Sequence, residues 1–178
     1  MRIKTGEDAK LFEVIDTFDK KVNLEDYRGK KVMLSFYRYA SCPLCNMRVH
    51  QLLLEYDKFK ENGMEMIGFF QSPKKSILEY VAKQDAPFPI IPDPKRKVYK
   101  EYGIESSLWG YIKGGLIKLG KMLKALRGFG LGRMEGNKTL IPADFLIGPD
   151  LKIEVAYYGK DIGDHIPIEE IYKWLEKN

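Results

Sequence analysis

The pattern of hydrophobic and polar positions predicts alternating strands and helices. The run Lys31–Tyr37 is short, β-branched and aromatic, and it is bounded by charge and by Gly29, as expected for a buried strand. From Cys45 onward, apolar residues recur every three or four positions up to Gly63, which predicts an amphipathic helix that ends at a glycine. Met64–Phe70 is a second apolar run and predicts the next buried strand.

The remaining elements follow from turn and capping residues. Ser72 and Pro73 predict the start of a helix, with Ser72 as its N-cap and Pro73 as its first residue. The proline-rich stretch 86–94 is unsuited to a central strand and predicts a short edge segment. The other predicted elements are an N-terminal hairpin (11–16 and 21–24), a helix at 95–102, a strand pair around a Gly-Pro-Asp turn (143–147 and 153–158) and a closing helix at 167–177.

Length and composition limit the classes of protein to which the chain can belong. The chain has 178 residues, of which 44% are hydrophobic and 31% charged, so residues 1–178 are expected to form a single globular domain. Strand–helix alternation followed by a hairpin and a helix favours an α/β sandwich. No apolar run approaches the roughly 18 residues of a membrane span, and residues 1–8 lack the apolar core of a signal peptide. We therefore expect a cytoplasmic location.

The two cysteines of the chain, Cys42 and Cys45, lie where the predicted strand passes into the predicted helix. The free N–H groups at the start of a helix favour a thiolate over a thiol. Cys42 is therefore the candidate nucleophile, and Cys45, three residues later, is the candidate resolving thiol. Pro43 suits the start of the helix because it has no N–H to leave unpaired.

Metal binding and inert burial are the alternatives for this cysteine pair. A zinc site needs two further ligands, and the histidines of the chain, His50 and His165, are isolated in the sequence. In a reducing compartment, a lone Cys-x-x-Cys is more often catalytic than a structural disulfide. We therefore expect redox chemistry with no metal and no cofactor.

Residues 105–140 carry a second pattern. Apolar residues keep helical spacing, and the basic residues have no acidic counterpart from Ser106 through Met134. The apolar positions are Trp109, Ile112, Leu116, Leu119, Leu123 and Leu126, and the basic positions are Lys113, Lys118, Lys121, Lys124, Arg127 and Arg133. We expect a basic amphipathic helix packed on the body of the domain, in preference to a membrane-surface or partner-binding role, and an exposed loop at 128–136.

The stretch Phe36–Cys45 resembles the active-site loop of the thioredoxin-like superfamily, and more specifically peroxiredoxin-like members of the alkyl hydroperoxide reductase and thiol-specific antioxidant group. The similarity extends through 88–94, 98–104 and 141–150. It implies a three-layer α/β/α sandwich with a mixed central sheet, an N-terminal hairpin and a helical insertion at about 105–140. By position, Pro142 resembles the cis-proline that faces the redox cysteines in that superfamily.

The peroxiredoxin motif Pro-x-x-x-Thr-x-x-Cys is not kept in this chain. With Cys45 in the peroxidatic position, Cys42 replaces the threonine and Arg38 the proline. With Cys42 in the peroxidatic position, Tyr39 replaces the threonine and Ser35 the proline. The Cys-Pro-x-Cys order is that of dithiol–disulfide exchange proteins. Thiol–disulfide oxidoreductase chemistry is therefore favoured, with thiol-dependent peroxide reduction as the alternative.

The sequence also suggests supporting residues and partners. Arg38 is a candidate to hold the thiolate, with an exposed strand-end arginine as the equal alternative, and Arg133 is a weak candidate for the distant arginine of peroxiredoxins. His50 is assigned no role. The expected partners are a disulfide-containing protein or a small disulfide or peroxide, a thioredoxin- or glutathione-type reductant and a second copy of the chain. Nucleic acid and membranes are not expected partners. A non-catalytic thioredoxin-fold binding module and a Cys-x-x-Cys metal carrier remain further alternatives.

Overall fold

A mixed β-sheet forms the centre of the fold. The computed structural model describes residues 1–117, 119–130 and 132–177, with side chains throughout except at 113, 115–117, 119, 121 and 122. Within these ranges the sheet has five strands in the order β5-β4-β3-β6-β7. The strands are β3 (Lys31–Phe36), β4 (Met64–Phe70), β5 (Ile90–Pro92), β6 (Ala143–Ile147) and β7 (Ile153–Tyr158), and a separate antiparallel hairpin is formed by β1 (Glu13–Ile15) and β2 (Lys21–Asn23).

The helices follow the strands along the chain. The α-helices are α1 (Pro43–Glu61), α2 (Lys74–Tyr80), α3 (Lys97–Glu101), α4 (Leu108–Ile117), α5 (Leu119–Phe129) and α6 (Ile168–Lys177). Two short 3₁₀ segments lie at Leu24–Tyr27 and Ala82–Gln84. The predicted strands, edge segment, hairpins and closing helix are confirmed to within a few residues.

The strand directions make the sheet mixed, as the resemblance implies. Strand β3 runs parallel to β4 and antiparallel to β6. The proline-rich segment forms β5, a three-residue strand parallel to β4 at one edge. Proline lacks the N–H that a central strand donates on both sides, and this explains the edge position.

The alternation of side chains along β3 divides the core between two faces. Met33 belongs to one apolar cluster with residues of α1, α2 and α6, whereas Leu34 belongs to the other with residues of α3 and the N-terminal hairpin. A strand directs successive side chains to opposite faces, so both faces of a buried strand must be covered. The resulting three-layer α/β/α sandwich confirms the predicted fold.

The start of α2 differs from the prediction. Pro73 is the N-cap, the helix begins at Lys74, and no side chain caps it. Ser72 does not cap the helix, because its Oγ accepts a hydrogen bond from the Ala40 N–H at 2.9 Å. Ser72 therefore stabilises the loop that precedes the cysteines.

The basic segment folds as α4 and α5, and α5 packs against α1 with Ala125 in the main apolar cluster. This packing on the body of the domain agrees with the prediction. The predicted positions Lys113, Leu116, Lys118, Leu119 and Lys121 lie outside the residues whose side chains are described. In the described part of the chain, no helix combines the length and the apolar composition that crossing a membrane requires.

Candidate active site

Cys42 occupies the cap position of the long helix α1. Its backbone is extended, with φ −69° and ψ 115°, and Pro43 is the first residue of the helix. The Cys42 Sγ accepts a hydrogen bond from the Cys45 N–H at 3.3 Å, in the way that a serine or aspartate oxygen caps a helix. The positive end of α1 is therefore directed at this sulfur.

The two cysteines meet at the same point. Both are free thiols, their sulfurs are 2.6 Å apart, and the Cys45 S–H donates to Cys42. Each residue is only 1% exposed. The structure thus brings together the two sulfurs that the sequence pairs, in a buried dithiol.

Arg38 places a positive charge beside the dithiol. Its guanidinium Nη1 lies 3.7 Å from the Cys42 Sγ, and Nη2 donates to the Lys138 carbonyl. The guanidinium carbon is 5.0 Å from the ring centroid of Tyr39 and 5.7 Å from that of Tyr111. Arg38 is buried, so the alternative of an exposed strand-end arginine is wrong.

These contacts give the two thiols different pKa values. Burial opposes ionisation of Cys42, but the Cys45 S–H and the charge of Arg38 outweigh it and lower the pKa of Cys42 to about 7. Burial and the neighbouring Cys42 raise the pKa of Cys45 well above its ordinary range. Near neutral pH, a large fraction of Cys42 is therefore thiolate, and Cys45 remains the thiol that stabilises it.

A side chain that the sequence did not single out holds the cysteine loop. The Asn46 Nδ2 donates to the Ala40 carbonyl at 2.6 Å and to the Cys42 carbonyl at 3.0 Å. Its Oδ1 accepts from the Gln84 side chain at 2.9 Å. Asn46 lies four residues after Cys42, and this one-turn spacing on a helix is the signal that could have identified it.

The segment 132–138 covers the cysteine loop. The Ser41 hydroxyl donates to the Arg133 carbonyl at 2.5 Å, and the Gln71 side chain exchanges two hydrogen bonds with the Asn137 backbone at 2.8 and 2.9 Å. A methyl group on Gly132 would lie 2.5 Å from the Ser41 Cβ, so the approach requires glycine. The predicted exposed loop is confirmed at 133, 134 and 136, whereas 128–129 belong to α5 and Gly132 packs against Ser41.

Arg133 does not take the role considered for it. The residue is exposed, and it meets the cysteine loop through its carbonyl, which accepts from Ser41. The guanidinium beside Cys42 is that of Arg38. Arg38 is four residues from the sulfur in sequence, so the local turn places it there without a distant strand.

The prediction of a cis bond before Pro142 is wrong. No peptide bond in the described ranges is cis, so the Ile141–Pro142 bond is trans. The chain runs extended into β6, because the Ile141 N–H donates to the Glu105 carbonyl and the Pro142 carbonyl accepts from the Gly159 N–H at 2.9 Å. That Pro142 lies against the cysteine loop stays a prediction.

A buried contact between a carboxylate and a histidine lies on the same side of the sheet as α1. Asp144 on β6 is fully buried, and its carboxylate contacts the His165 Nδ1 at 3.0 Å and accepts from the Ile166 N–H at 2.9 Å. Burial works against ionisation of Asp144, but His165 and Arg48 outweigh it and lower the pKa. His165 is thus not isolated in the fold, although its partner is 21 residues away in sequence.

The structure gives little support to the alternative of a metal site. Among the side chains that it describes, no three histidine, cysteine or acidic residues are grouped to hold a metal ion. His50 is exposed on α1, with its ring 6.3 Å from that of Phe129. The two cysteines are free thiols in this structure.

Comparison with known proteins identifies similar sequences and folds. The AhpC/TSA family profile matches residues 5–156. The chain is 31% identical over 113 residues to a chloroplastic peroxiredoxin Q of Triticum aestivum, an alignment that covers 64% of this chain and 52% of that protein. The chain therefore spans about half the length of this relative.

Two solved structures resemble the fold closely. Xylella fastidiosa PrxQ, solved as a mutant, is matched with a TM-score of 0.71 at 17% identity, over 99% of this chain and 96% of that chain. The peroxidoxin BcpB from Mycobacterium tuberculosis is matched with a TM-score of 0.69 at 18% identity, over 98% of this chain and 96% of that chain. At these identities the likeness concerns the fold.

Proposed function

The chain belongs to the AhpC/TSA family, and from that premise we propose that it is a thiol oxidoreductase in which Cys42 attacks a disulfide or a peroxide and Cys45 resolves the product. One observation carries the proposal. The Cys42 sulfur receives the Cys45 S–H at 2.6 Å, the Cys45 N–H at 3.3 Å and the Arg38 guanidinium at 3.7 Å. Three donors on one sulfur stabilise the thiolate, which is the reactive form.

The disulfide reaction balances in two steps. The Cys42 thiolate attacks one sulfur of the substrate disulfide, forms a mixed disulfide and releases the other substrate sulfur as a thiolate. Cys45, after loss of its proton to solvent or to that leaving thiolate, then attacks the Cys42 sulfur. The substrate leaves as a dithiol, two electrons have passed to it, and Cys42–Cys45 is left as a disulfide.

The first step prepares Cys45 for the second. Besides burial, the hydrogen bond to Cys42 and its negative charge raise the pKa of Cys45. Once Cys42 is in a mixed disulfide, that charge is gone while Arg38 remains nearby. The pKa of Cys45 therefore falls at the stage when its thiolate is needed.

Peroxide reduction is the second candidate, and membership of the family favours it. The Cys42 thiolate attacks one peroxide oxygen, the O–O bond breaks, and the leaving alkoxide or hydroxide takes a proton from solvent, which gives a sulfenic acid and an alcohol or water. The Cys45 thiol condenses with the sulfenic acid, releases water and gives the same disulfide. Arg38 and the Cys45 N–H are the donors near the reacting sulfur, since neither cysteine has the family's threonine.

Both reactions leave a disulfide that a second thiol must reduce. We propose a thioredoxin- or glutathione-type reductant, a cytoplasmic location, where such reductants operate, and a homodimer as the assembly. The buried sulfurs favour a small attacking thiol or a partner that displaces segment 132–138.

A comparison of oxidants tests the proposal. Reduced protein is mixed with a small-molecule disulfide or with hydrogen peroxide at equal concentration, quenched with acid, alkylated and analysed by mass spectrometry. We expect a Cys42–Cys45 disulfide with both oxidants, formed faster with the small-molecule disulfide. Faster oxidation by peroxide would reverse the order of the two activities. Failure of both oxidants, together with stoichiometric zinc or copper after reducing purification, would favour a metal carrier.

A further inference from the structure

Helix α4 has an inner face that fits tightly onto the domain. A methyl group added to Gly110 would lie 2.8 Å from the Ile141 Cδ1, and one added to Gly114 would lie 2.7 Å from the Ile162 Cγ1, so both glycines are in close contact with the body. Between them, the Tyr111 ring lies beside Arg38. Positions 110, 111 and 114 share one side of a helix that has 3.6 residues per turn.

The outer face of α4 is apolar and open. Leu108 is 65% exposed, Trp109 81% and Ile112 44%. These three positions lie on one side of the helix, opposite to the glycines. Single exposed apolar residues are ordinary, but three large ones on adjacent turns form a patch that marks an interaction site.

The sequence segment that contains this patch carries charge of one sign. Six lysine and arginine residues and no acidic residue occur from Ser106 through Met134. On the following helix α5, Leu123 is 54% exposed, and Lys124 and Arg127 are exposed beside it. The α4–α5 segment thus combines exposed apolar side chains with exposed basic side chains.

We infer that the outer face of α4, with the exposed Leu123, Lys124 and Arg127 of α5, is a docking surface for an anionic lipid bilayer. Trp109 and its apolar neighbours enter the boundary between headgroups and acyl chains, and the basic residues contact anionic headgroups. The helix lies in the plane of the membrane and does not cross it. From the sequence, packing on the domain and a membrane-surface role are alternatives. In the structure, the inner face of α4 packs on the domain and its outer face is exposed for docking.

Charge argues against the other occupants. A second copy docked through the same face would bring its own Lys124 and Arg127 against the same positive charges. A nucleic acid duplex would satisfy the charge but leave Leu108 and Ile112 without apolar contacts, because its outer surface is a phosphate backbone. An anionic bilayer offers negative charge to the basic residues and an apolar layer to Leu108 and Ile112.

The docking surface is next to the redox site. Tyr111 on the inner face of α4 contacts Arg38, which in turn contacts the Cys42 sulfur. Docking therefore places the covered dithiol at the membrane surface. The inference itself rests on exposure and charge and is independent of the proposed function.

Vesicle binding tests the inference with the intact reduced protein. The probes are vesicles of zwitterionic phosphatidylcholine, with or without about 30% anionic phosphatidylglycerol, in flotation and tryptophan-fluorescence assays. We expect binding to the anionic vesicles only, binding that weakens as salt rises, and a blue shift of tryptophan emission that is absent in Trp109→Phe, because Trp174 is already buried.

Matched variants locate the surface. Trp109→Ala/Ile112→Ala should weaken vesicle binding at least tenfold, whereas Phe18→Ala, an exposed aromatic on the N-terminal hairpin turn, should not change it. Lys124→Gln/Arg127→Gln should weaken binding about fivefold for each charge removed, and Lys95→Gln/Lys100→Gln much less.

Other outcomes overturn the inference. Equal loss of binding in the control variants would show that net charge alone causes adsorption. A dimer in analytical ultracentrifugation that Trp109→Ala dissociates, without vesicle binding, would assign the face to a second copy. Tighter binding to duplex DNA than to the anionic vesicles would assign it to nucleic acid.

Discussion

Arg38 Nη1 lies 3.7 Å from the Cys42 sulfur, and the same guanidinium donates through Nη2 to the Lys138 carbonyl. One side chain therefore links the thiolate to the segment that covers it. The link is buried, where a charge that loses its partner is costly. The ionisation of Cys42 and the position of segment 132–138 are thus expected to depend on each other through Arg38.

The first prediction concerns the pKa of Cys42. Its alkylation by iodoacetamide should rise with pH through a midpoint near 7 and level off above it, because only the thiolate reacts. In Arg38→Met the midpoint should move upward by about one unit, which lowers the rate at pH 7 by up to about tenfold. Arg38→Lys should restore part of the shift. Peptide mass spectrometry of quenched samples separates alkylation of Cys42 from that of Cys45 and keeps the Cys45 S–H that helps to lower the pKa.

An exposed arginine supplies the control for this experiment. Arg28 is paired with Glu25 on the surface, and Arg28→Met should leave the midpoint unchanged. An unchanged midpoint in Arg38→Met would show that the capping N–H and the Cys45 S–H alone lower the pKa.

The second prediction assigns the two cysteines. Cys42→Ser should abolish disulfide reduction, whereas Cys45→Ser should leave a mixed disulfide trapped on Cys42, because the resolving thiol is gone. Intact-protein mass spectrometry after reaction with a small disulfide measures the trapped adduct. Labelling of Cys45 before Cys42 by limiting iodoacetamide at neutral pH would exchange the two roles.

The strand, the helix and the cysteine pair between them were predictable from sequence. Periodicity predicts β3 and α1 and places the Cys-x-x-Cys at their junction, where Cys42 caps the helix. The position of Arg38 near Cys42 was also predictable from sequence, since it lies four residues before Cys42. These features depend on local chemistry.

Features that depend on long-range register were not predictable. Asp144 pairs with Ser35 across β3 and β6, and this register places its carboxylate at His165. Ser72 looks like a helix cap in sequence, yet it is used by Ala40, which is 32 residues away. The cover over the cysteines depends on the path of 132–138, a segment without periodicity.

The third prediction tests Asn46 as the support of the cysteine loop. Asn46→Ala leaves the buried Ala40 carbonyl without its donor and should lower the free energy of unfolding by about 2 kcal/mol. Asn62→Ala, at the exposed end of the same helix, should cost less than about 1 kcal/mol. Urea unfolding followed by circular dichroism gives both values, and equal losses would contradict a special role for Asn46.

The fourth prediction concerns the buried pair of Asp144 and His165. The pKa of Asp144 is lower in the folded protein than in the unfolded chain, so its ionisation stabilises the fold above about pH 4 and this contribution is lost as pH falls through the folded pKa. His165→Ala should cost about 3 kcal/mol at pH 7, since a buried carboxylate loses its His165 partner. Asp144→Asn should flatten the acid side of the stability profile.

Urea unfolding at a series of pH values measures this profile. Asp57→Asn, on the exposed side of α1, is the control and should leave the acid slope close to that of the wild type. An unchanged slope in Asp144→Asn would mean that other carboxylates account for the acid sensitivity of the fold.

The last prediction concerns access to the buried sulfurs. Each cysteine is 1% exposed, so a reagent larger than peroxide must wait until segment 132–138 moves away from Ser41 and Gln71. Gln71→Ala removes two hydrogen bonds that hold the segment, and each one lost should increase the open population about fivefold. At pH 9, where Cys42 is ionised, a bulky aromatic disulfide should therefore react faster with Gln71→Ala than with the wild type, and hydrogen peroxide should gain less. Gln51→Ala on exposed α1 should change neither rate. Equal acceleration of both reagents would show that the substitution alters the sulfur itself and that segment 132–138 does not control access.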